Sequence, residues 1–210
     1  MSNLKRFLPL ITAAIILCST AQARIGESRS SLESRLLKDR TAVKVPSRLQ
    51  EKLLNDRSVP YRALYEYFPE SAEQEVYYKL AENGQATTAD LETTFPDGWM
   101  VHVVYINGQS VFEAYRRNGA GINRYEEEGI LMVNMGGSHW QRVNPKDVQN
   151  TAIGCSLERT DGEVRAIRKG NYLIVYNTEF DEAVKKLQDE ARAESEAEAQ
   201  ENAPDSLRGF

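Results

Sequence analysis

The stretch WMVHVVYINGQSVFEAYRR, residues 99–117, decides the fold class. Two runs rich in β-branched and aromatic residues flank Asn107-Gly108. Asn-Gly is a strong hairpin signal, because both central positions of a type I′ turn need positive φ. A two-residue turn fixes a register in which Val103 faces Phe112, Val101 faces Ala114 and His102 faces Glu113. One face then carries Trp99, Val101, Val103, Tyr105, Phe112 and Ala114 towards a core. Met100, His102, Val104, Glu113 and Tyr115 occupy the other, mixed face.

Working outward, Asp97-Gly98 reads as the turn that joins a strand at 91–96 to this hairpin. A second hairpin turns at Asp161-Gly162, with Glu158 facing Arg165 as an exposed ion pair and Leu157 facing Ala166 on the buried side. Gly170-Asn171 turns into Tyr172–Tyr176, the most strand-like run in the chain.

Capping spacings mark the helices. Ser28 or Ser30 caps a helix over 24–37 with Leu32, Leu36 and Leu37 on one stripe, and Ser47 with Gln50 opens a second bearing Leu49, Leu53 and Leu54. Ser71 with Gln74 predicts a third, bearing Val76, Tyr77 and Leu80 and ending at Gly84. Asn123 with Glu126 caps a short helix whose apolar residues are Tyr125, Ile130, Leu131 and Val133. Thr178 with Asp181 caps a last one with Phe180, Val184 and Leu187 inward. The expectation is an α+β domain over 24–190: N-terminal helices, an antiparallel sheet built from two hairpin or meander blocks, and a C-terminal helix.

The two ends read differently. Lys5 and Arg6 precede an apolar run from Phe7 to Cys18, broken only by Pro9 and Thr12, and Ala21-Gln22-Ala23 follows as a small-x-small cleavage site. The run is shorter than the roughly 20 residues that span a bilayer. Residues 1–23 are therefore read as a signal peptide, and the mature chain as exported, periplasmic or secreted, without a transmembrane segment. Leu17 before Cys18 is not the small residue that lipoprotein processing requires. At the other end, Ala-Glu alternation over 191–200 has helix propensity but no large apolar residues to bury. Residues 191–210 are expected to form a frayed helix leading into a disordered acidic tail.

Charge and composition narrow the function classes. The 210 residues hold 26 Lys and Arg against 31 Asp and Glu, a net charge of −5. Removing 1–23 takes away only Lys5 and Arg6, leaving −7, most of it carried by 181–210. A nucleic-acid surface needs clustered positive charge, so no nucleic-acid partner is expected. His102 and His139 are the only histidines, and their spacing gives no metal signature. Gly119-Ala120-Gly121 lacks the third glycine of a dinucleotide loop, and neither a Walker pattern nor a Gly-x-Ser-x-Gly elbow occurs, so no cofactor is expected. Glu126-Glu127-Glu128 is explained by the helix dipole. Cys155, the one cysteine after position 23, reads as a small buried core residue. The candidate binding residues are His139 and Trp140, in a loop after two glycines, with Tyr65 and Tyr67 from an aromatic segment. These features point to a non-enzymatic binding or adaptor protein whose partner is another envelope or secreted protein. The alternative is a small exported hydrolase using His102 or His139 with Glu113 or Cys155.

Arg24-Ile25-Gly26-Glu27-Ser28, followed by Leu32 and Leu36, resembles the entry to the first helix of small exported modules of the SmpA/OmlA type. The resemblance implies helices before an antiparallel meander and an accessory or adaptor role in the cell envelope. The chain departs from that pattern in lacking a lipidation cysteine, in having Lys38-Asp39-Arg40 where a Gly-x-Pro usually follows the helix, and in its greater length. No functional residue carries over. The processing reading is checked by intact mass of exported protein: the chain should start at Arg24, and a lipid-modified start at Cys18 would contradict it.

Overall fold

A computed structural model describes residues 24–38, 42–80, 87–93, 97–144, 146 and 150–202. The expected signal segment 1–23, the cap at Gly84 and residues 203–210 lie outside the described residues. The chain is an α+β fold around one eight-stranded antiparallel sheet, built from two four-stranded meanders side by side. The first meander comprises β1 (Ala42–Lys44), β2 (Glu73–Leu80), β3 (Gly98–Ile106) and β4 (Gln109–Asn118). After β4 the chain crosses through α4 (Arg124–Val133) to the far edge. It then returns inward through β5 (Trp140–Arg142), β6 (Leu157–Arg159), β7 (Val164–Lys169) and β8 (Tyr172–Asn177). The seam is β4 against β8, from Phe112–Tyr176 to Arg116–Tyr172.

Asn107-Gly108 makes the expected turn, with φ of 52° and 74°. Ile106 pairs with Gln109 and Tyr105 with Ser110, but the register then shifts, so that Val104 pairs with Phe112, Val103 with Glu113, His102 with Ala114 and Val101 with Tyr115. Val111 is the extra residue of a β-bulge, and one extra residue turns every later side chain to the opposite face. This corrects the expected pairing: Phe112 and Ala114 face the same side as His102, whereas Glu113 and Tyr115 share a face with Val101 and Val103.

Both faces of the sheet are therefore covered. On one, Val76, Tyr78, Met100, Val104, Phe112, Ala114, Ile174 and Tyr176 form the larger core. It is closed by α2 (Ser47–Leu54), a 3-10 helix (Arg62–Tyr67) and α5 (Thr178–Glu201). On the other, α1 (Arg29–Leu37) places Leu32 on Tyr77, Val103 and Tyr105. There α4 places Leu131 over Ala166, Leu173 and Val175.

Several local readings change. Residues 73–80 are β2, not a helix; Val76, Tyr77 and Tyr78 suit a pleated surface buried on both faces. Leu91 lies in a short helix, α3 (Thr88–Thr93), not in a strand. Asp97-Gly98 is accordingly no hairpin. Gly98 opens β3 where the backbone passes tightly against β2, and a Cβ there would meet Lys79 O at 2.3 Å and Tyr78 Oη at 2.6 Å. Gln50 does not cap α2. It donates to Gln74 O (2.7 Å) and accepts from Val76 N (3.0 Å), standing in for a neighbouring strand beyond the end of β1. Ser28 caps α1, and Asn123 with Glu126 forms the expected capping box on α4. The Asp161-Gly162 hairpin pairs Glu158 with Arg165 and Leu157 with Ala166, as read from the sequence. The Glu158–Arg165 ion pair, 2.8 Å apart, is half-buried rather than exposed, because Arg165 also reaches towards the buried Asp181.

At the C-terminal helix the cap is Asn177, accepting from Phe180 N at 2.7 Å, rather than Thr178 with Asp181. Asp181 is used differently. Fully buried, its Oδ1 accepts from Ala152 N (3.1 Å) and Ile153 N (2.8 Å), with Arg165 Nη1 3.5 Å from Oδ2. The apolar stripe of α5 ends at Leu187, but the helix continues to Glu201, with residues 192–202 exposed. Asp181→Ala strips two buried amides of their acceptor. It should lower the unfolding free energy by roughly 2–4 kcal/mol, with Asp181→Asn milder, in denaturant melts. A change within about 0.5 kcal/mol, the scale of a neutral surface substitution, would contradict the assignment.

Candidate functional site

The bulge places Tyr115 beside Val101 on the face that carries α1 and α4. Between residues of these two helices the sheet face opens into a cleft of about 280 Å³. Its floor is Tyr77, Trp99, Val101 and Tyr115; Leu36 stands on the α1 side and Gly129, Ile130 and Val133 on the α4 side. Small-molecule pockets commonly measure roughly 300–1,000 Å³. This cleft is at or below the small end of that range, room for a single apolar chain or side chain.

Beside the floor, on the same face of the sheet, lies a buried polar network. Glu113, 1% exposed, accepts from Ser110 Oγ (2.8 Å) and from Tyr115 Oη. Burial pushes the Glu113 carboxyl upward, opposed by those two hydroxyl donors and by the charges of Arg24 and Arg35. Tyr115 Oη accepts from Arg24 Nη1 (3.4 Å), and Arg35 is held by Glu27 at 2.5 Å. The segment carrying Arg24 is fixed by backbone bonds, Gly26 N to Ser110 O (2.7 Å) and Ser110 N to Glu27 O (2.9 Å). Asn134 Oδ1 also accepts from Ile25 N (3.2 Å).

Alongside the cleft, α4 turns apolar side chains to solvent. Tyr125 is 83% exposed, Met132 68% and Val133 43%. At i, i+7 and i+8 they share one side of the helix. Of the four apolar residues read on this helix, Leu131 is the buried one, and Tyr125 and Val133 face solvent.

The expected binding residues are not brought together. Tyr65 and Tyr67 pack on the larger core, where Tyr65 meets Tyr61 edge-on at 5.8 Å and Phe68 at 5.4 Å. Trp140 belongs to the opposite face, packed against the α4 core with Nε1 donating to Leu131 O at 2.8 Å. It opens strand β5 rather than lying in a loop. His139 beside it is exposed, its backbone bonded to Thr160.

The groups of the hydrolase alternative are also dispersed. His102 and Glu113 occupy adjacent cross-strand pairs and so lie on opposite faces of the sheet. His102 is fully buried between Tyr61, Tyr65 and Phe112, with Nδ1 3.2 Å from Tyr61 Oη. Burial drives it down to about 3. Cys155 is buried, with Sγ 3.2 Å from Leu157 O, and burial pushes its thiol up to about 11, away from nucleophilic use. No group of three or more His, Cys, Asp or Glu among the described residues could hold a metal ion.

The cleft residues Arg24, Trp99, Tyr115 and Val133 are not among the candidate binding residues read from the sequence, which are His139, Trp140, Tyr65 and Tyr67. The i, i+7, i+8 spacing of Tyr125, Met132 and Val133 is the signal that marks the exposed side of α4. Comparison with protein-family models, curated proteins and solved structures finds no match to this chain.

His102, on the opposite face of the sheet from the cleft, gives the larger core a pH signature. Its folded value lies below the ordinary His value of about 6.5. The unfolded chain therefore binds the extra proton first, and stability present above about pH 6.5 is lost as pH falls towards 3. Unfolding free energies measured from pH 4 to 7 should fall more steeply on acidification in the wild type than in His102→Phe. Equal slopes would contradict a neutral buried imidazole.

Proposed function

We propose that this chain is an exported, soluble, non-enzymatic binding or adaptor module of the cell envelope, whose contact surface is α4 with the cleft beside it. The observation that carries the reading is the exposed apolar row of Tyr125, Met132 and Val133, continuous with the cleft through Val133. Contiguous exposed apolar surface marks interaction sites, and Tyr and Met are enriched at them. A helix side that presents Tyr and Met to water has no folding reason to do so, since Leu131 already anchors α4 to the sheet.

Export is supported by the signal pattern over residues 1–23. No helix among the described residues is long and apolar enough to cross a membrane. The adaptor role agrees with what the resemblance of Arg24–Ser28 to the SmpA/OmlA entry implies, and the partner is another envelope or secreted protein. The dispersal of His102 and Glu113 over two faces of the sheet, with Cys155 buried in the loop before β6, favours binding over hydrolysis.

A photoreactive residue placed at Met132, and separately at the exposed Glu194, tests the surface in cells that export the protein. The reading predicts a discrete protein adduct from position 132 and none from 194. That adduct should be abolished by Tyr125→Asp with Val133→Asp, in protein that still melts cooperatively. Equal adducts from both positions, or an adduct indifferent to the α4 substitutions, would overturn it.

A further inference from the structure

The polar groups bordering the cleft are unequal. Three charged residues line it: Arg24, Lys79 and Glu126. The Glu126 carboxylate is already engaged, one oxygen with Arg117 and the other with Asn123 N at 2.8 Å. Arg24 is engaged far less. Of its five guanidinium N–H donors, one makes a 3.4 Å bond to Tyr115 Oη, the only acceptor for that side chain among the described residues. The guanidinium lies 5.9 Å from the centre of the Tyr115 ring, at the cleft wall. Lys79 has no carboxylate within ion-pair distance among the described residues. The cleft therefore joins an apolar floor to cationic donors with spare capacity.

Arg24 is also held in position. Tyr115 Oη accepts from it and donates to Glu113, which Ser110 Oγ holds from the other side. The segment 24–27 is anchored by backbone bonds to Ser110. A guanidinium set in advance at the mouth of an apolar cleft suits a planar carboxylate, which it can meet with two parallel N–H donors. A phosphodiester lipid with two acyl chains does not fit a cleft of about 280 Å³; one chain does.

We infer that the cleft between α1 and α4 binds a single-chain carboxylate amphiphile, its carboxylate on Arg24 and its chain along Trp99, Val101, Ile130 and Val133. The inference rests on the reading of this cleft as the binding surface and adds the chemistry of the occupant. Lys79 contributes long-range attraction at the rim, and Arg24 sets the orientation.

Calorimetric titration of the full mature chain with decanoate, decanol and decyltrimethylammonium, each below its aggregation concentration, tests this. Decanoate should bind, decanol should bind about tenfold or more weakly, and the cation weaker still, as expected when a charge-assisted pair orients the ligand. Arg24→Gln should bring decanoate down to the level of decanol. Val133→Trp, at a partly exposed position on the cleft wall, should weaken decanoate and decanol together, and covers the case in which Arg24→Gln fails to fold. Equal binding of decanoate and decanol would overturn the carboxylate assignment while leaving the cleft as a binding surface. Absence of decanoate binding, or decanoate affinity unchanged in both variants, would overturn the inference outright. Failure of the broader reading is seen independently, in the adducts from position 132.

Discussion

The β-bulge at Val111 is the constraint on which the rest of the architecture depends. A single extra residue between Ser110 and Phe112 decides what β4 presents to each side of the sheet. With it, Phe112 and Ala114 join Tyr176 and Ile174 in the larger core, and Glu113 and Tyr115 go to the face of α1 and α4. Without it, Glu113 would lie in the larger core beside His102 and Phe112, away from the Ser110 and Tyr115 hydroxyls that it accepts from. A buried carboxylate lacking such partners costs several kcal/mol, of the order that destabilises a whole domain. Ser110, three residues before Glu113, and Tyr115, two after it, supply the donors that make the observed arrangement tolerable.

The seam between the two meanders follows from the same choice. β8 pairs with β4 over five residue pairs and is buried on both faces, so each half of the sheet is completed by the other. The crossover through α4 covers β6–β8, and α1 covers β1–β3. The cleft is the space that neither helix fills, and it lies over β2–β4 because the covering helices belong to different meanders. Asp181 ties the opposite face together, linking the start of α5 to the amides of residues 152 and 153.

Much of this was legible in local chemistry. Turns that demand positive φ were found at Asn107-Gly108 and Asp161-Gly162, and the second gave its cross-strand pairs correctly. The Asn123–Glu126 box and the Ser28 cap were also readable, because capping depends only on neighbours in sequence. The failures share a cause. Ser71 with Gln74 has a helix-entry spacing, yet Val76-Tyr77-Tyr78 is held as a strand between β1 and β3 by tertiary pairing that overrides it. Gln50 looked like a cap residue and instead serves a strand edge 24 residues away. The bulge has no glycine to announce it, so a register taken from the turn alone ran one residue out. The cleft was not legible, because Arg24, Leu36, Trp99, Tyr115 and Val133 converge only when five separate elements pack.

The central claim is that β4 faces two cores in the bulged register. Cross-strand proton contacts measured by NMR test it most directly. The account predicts contacts pairing His102 with Ala114 and Val103 with Glu113, with Val111 unpaired. Contacts pairing His102 with Glu113 and Val103 with Phe112 would contradict it, and with it the wall of the cleft that Tyr115 provides.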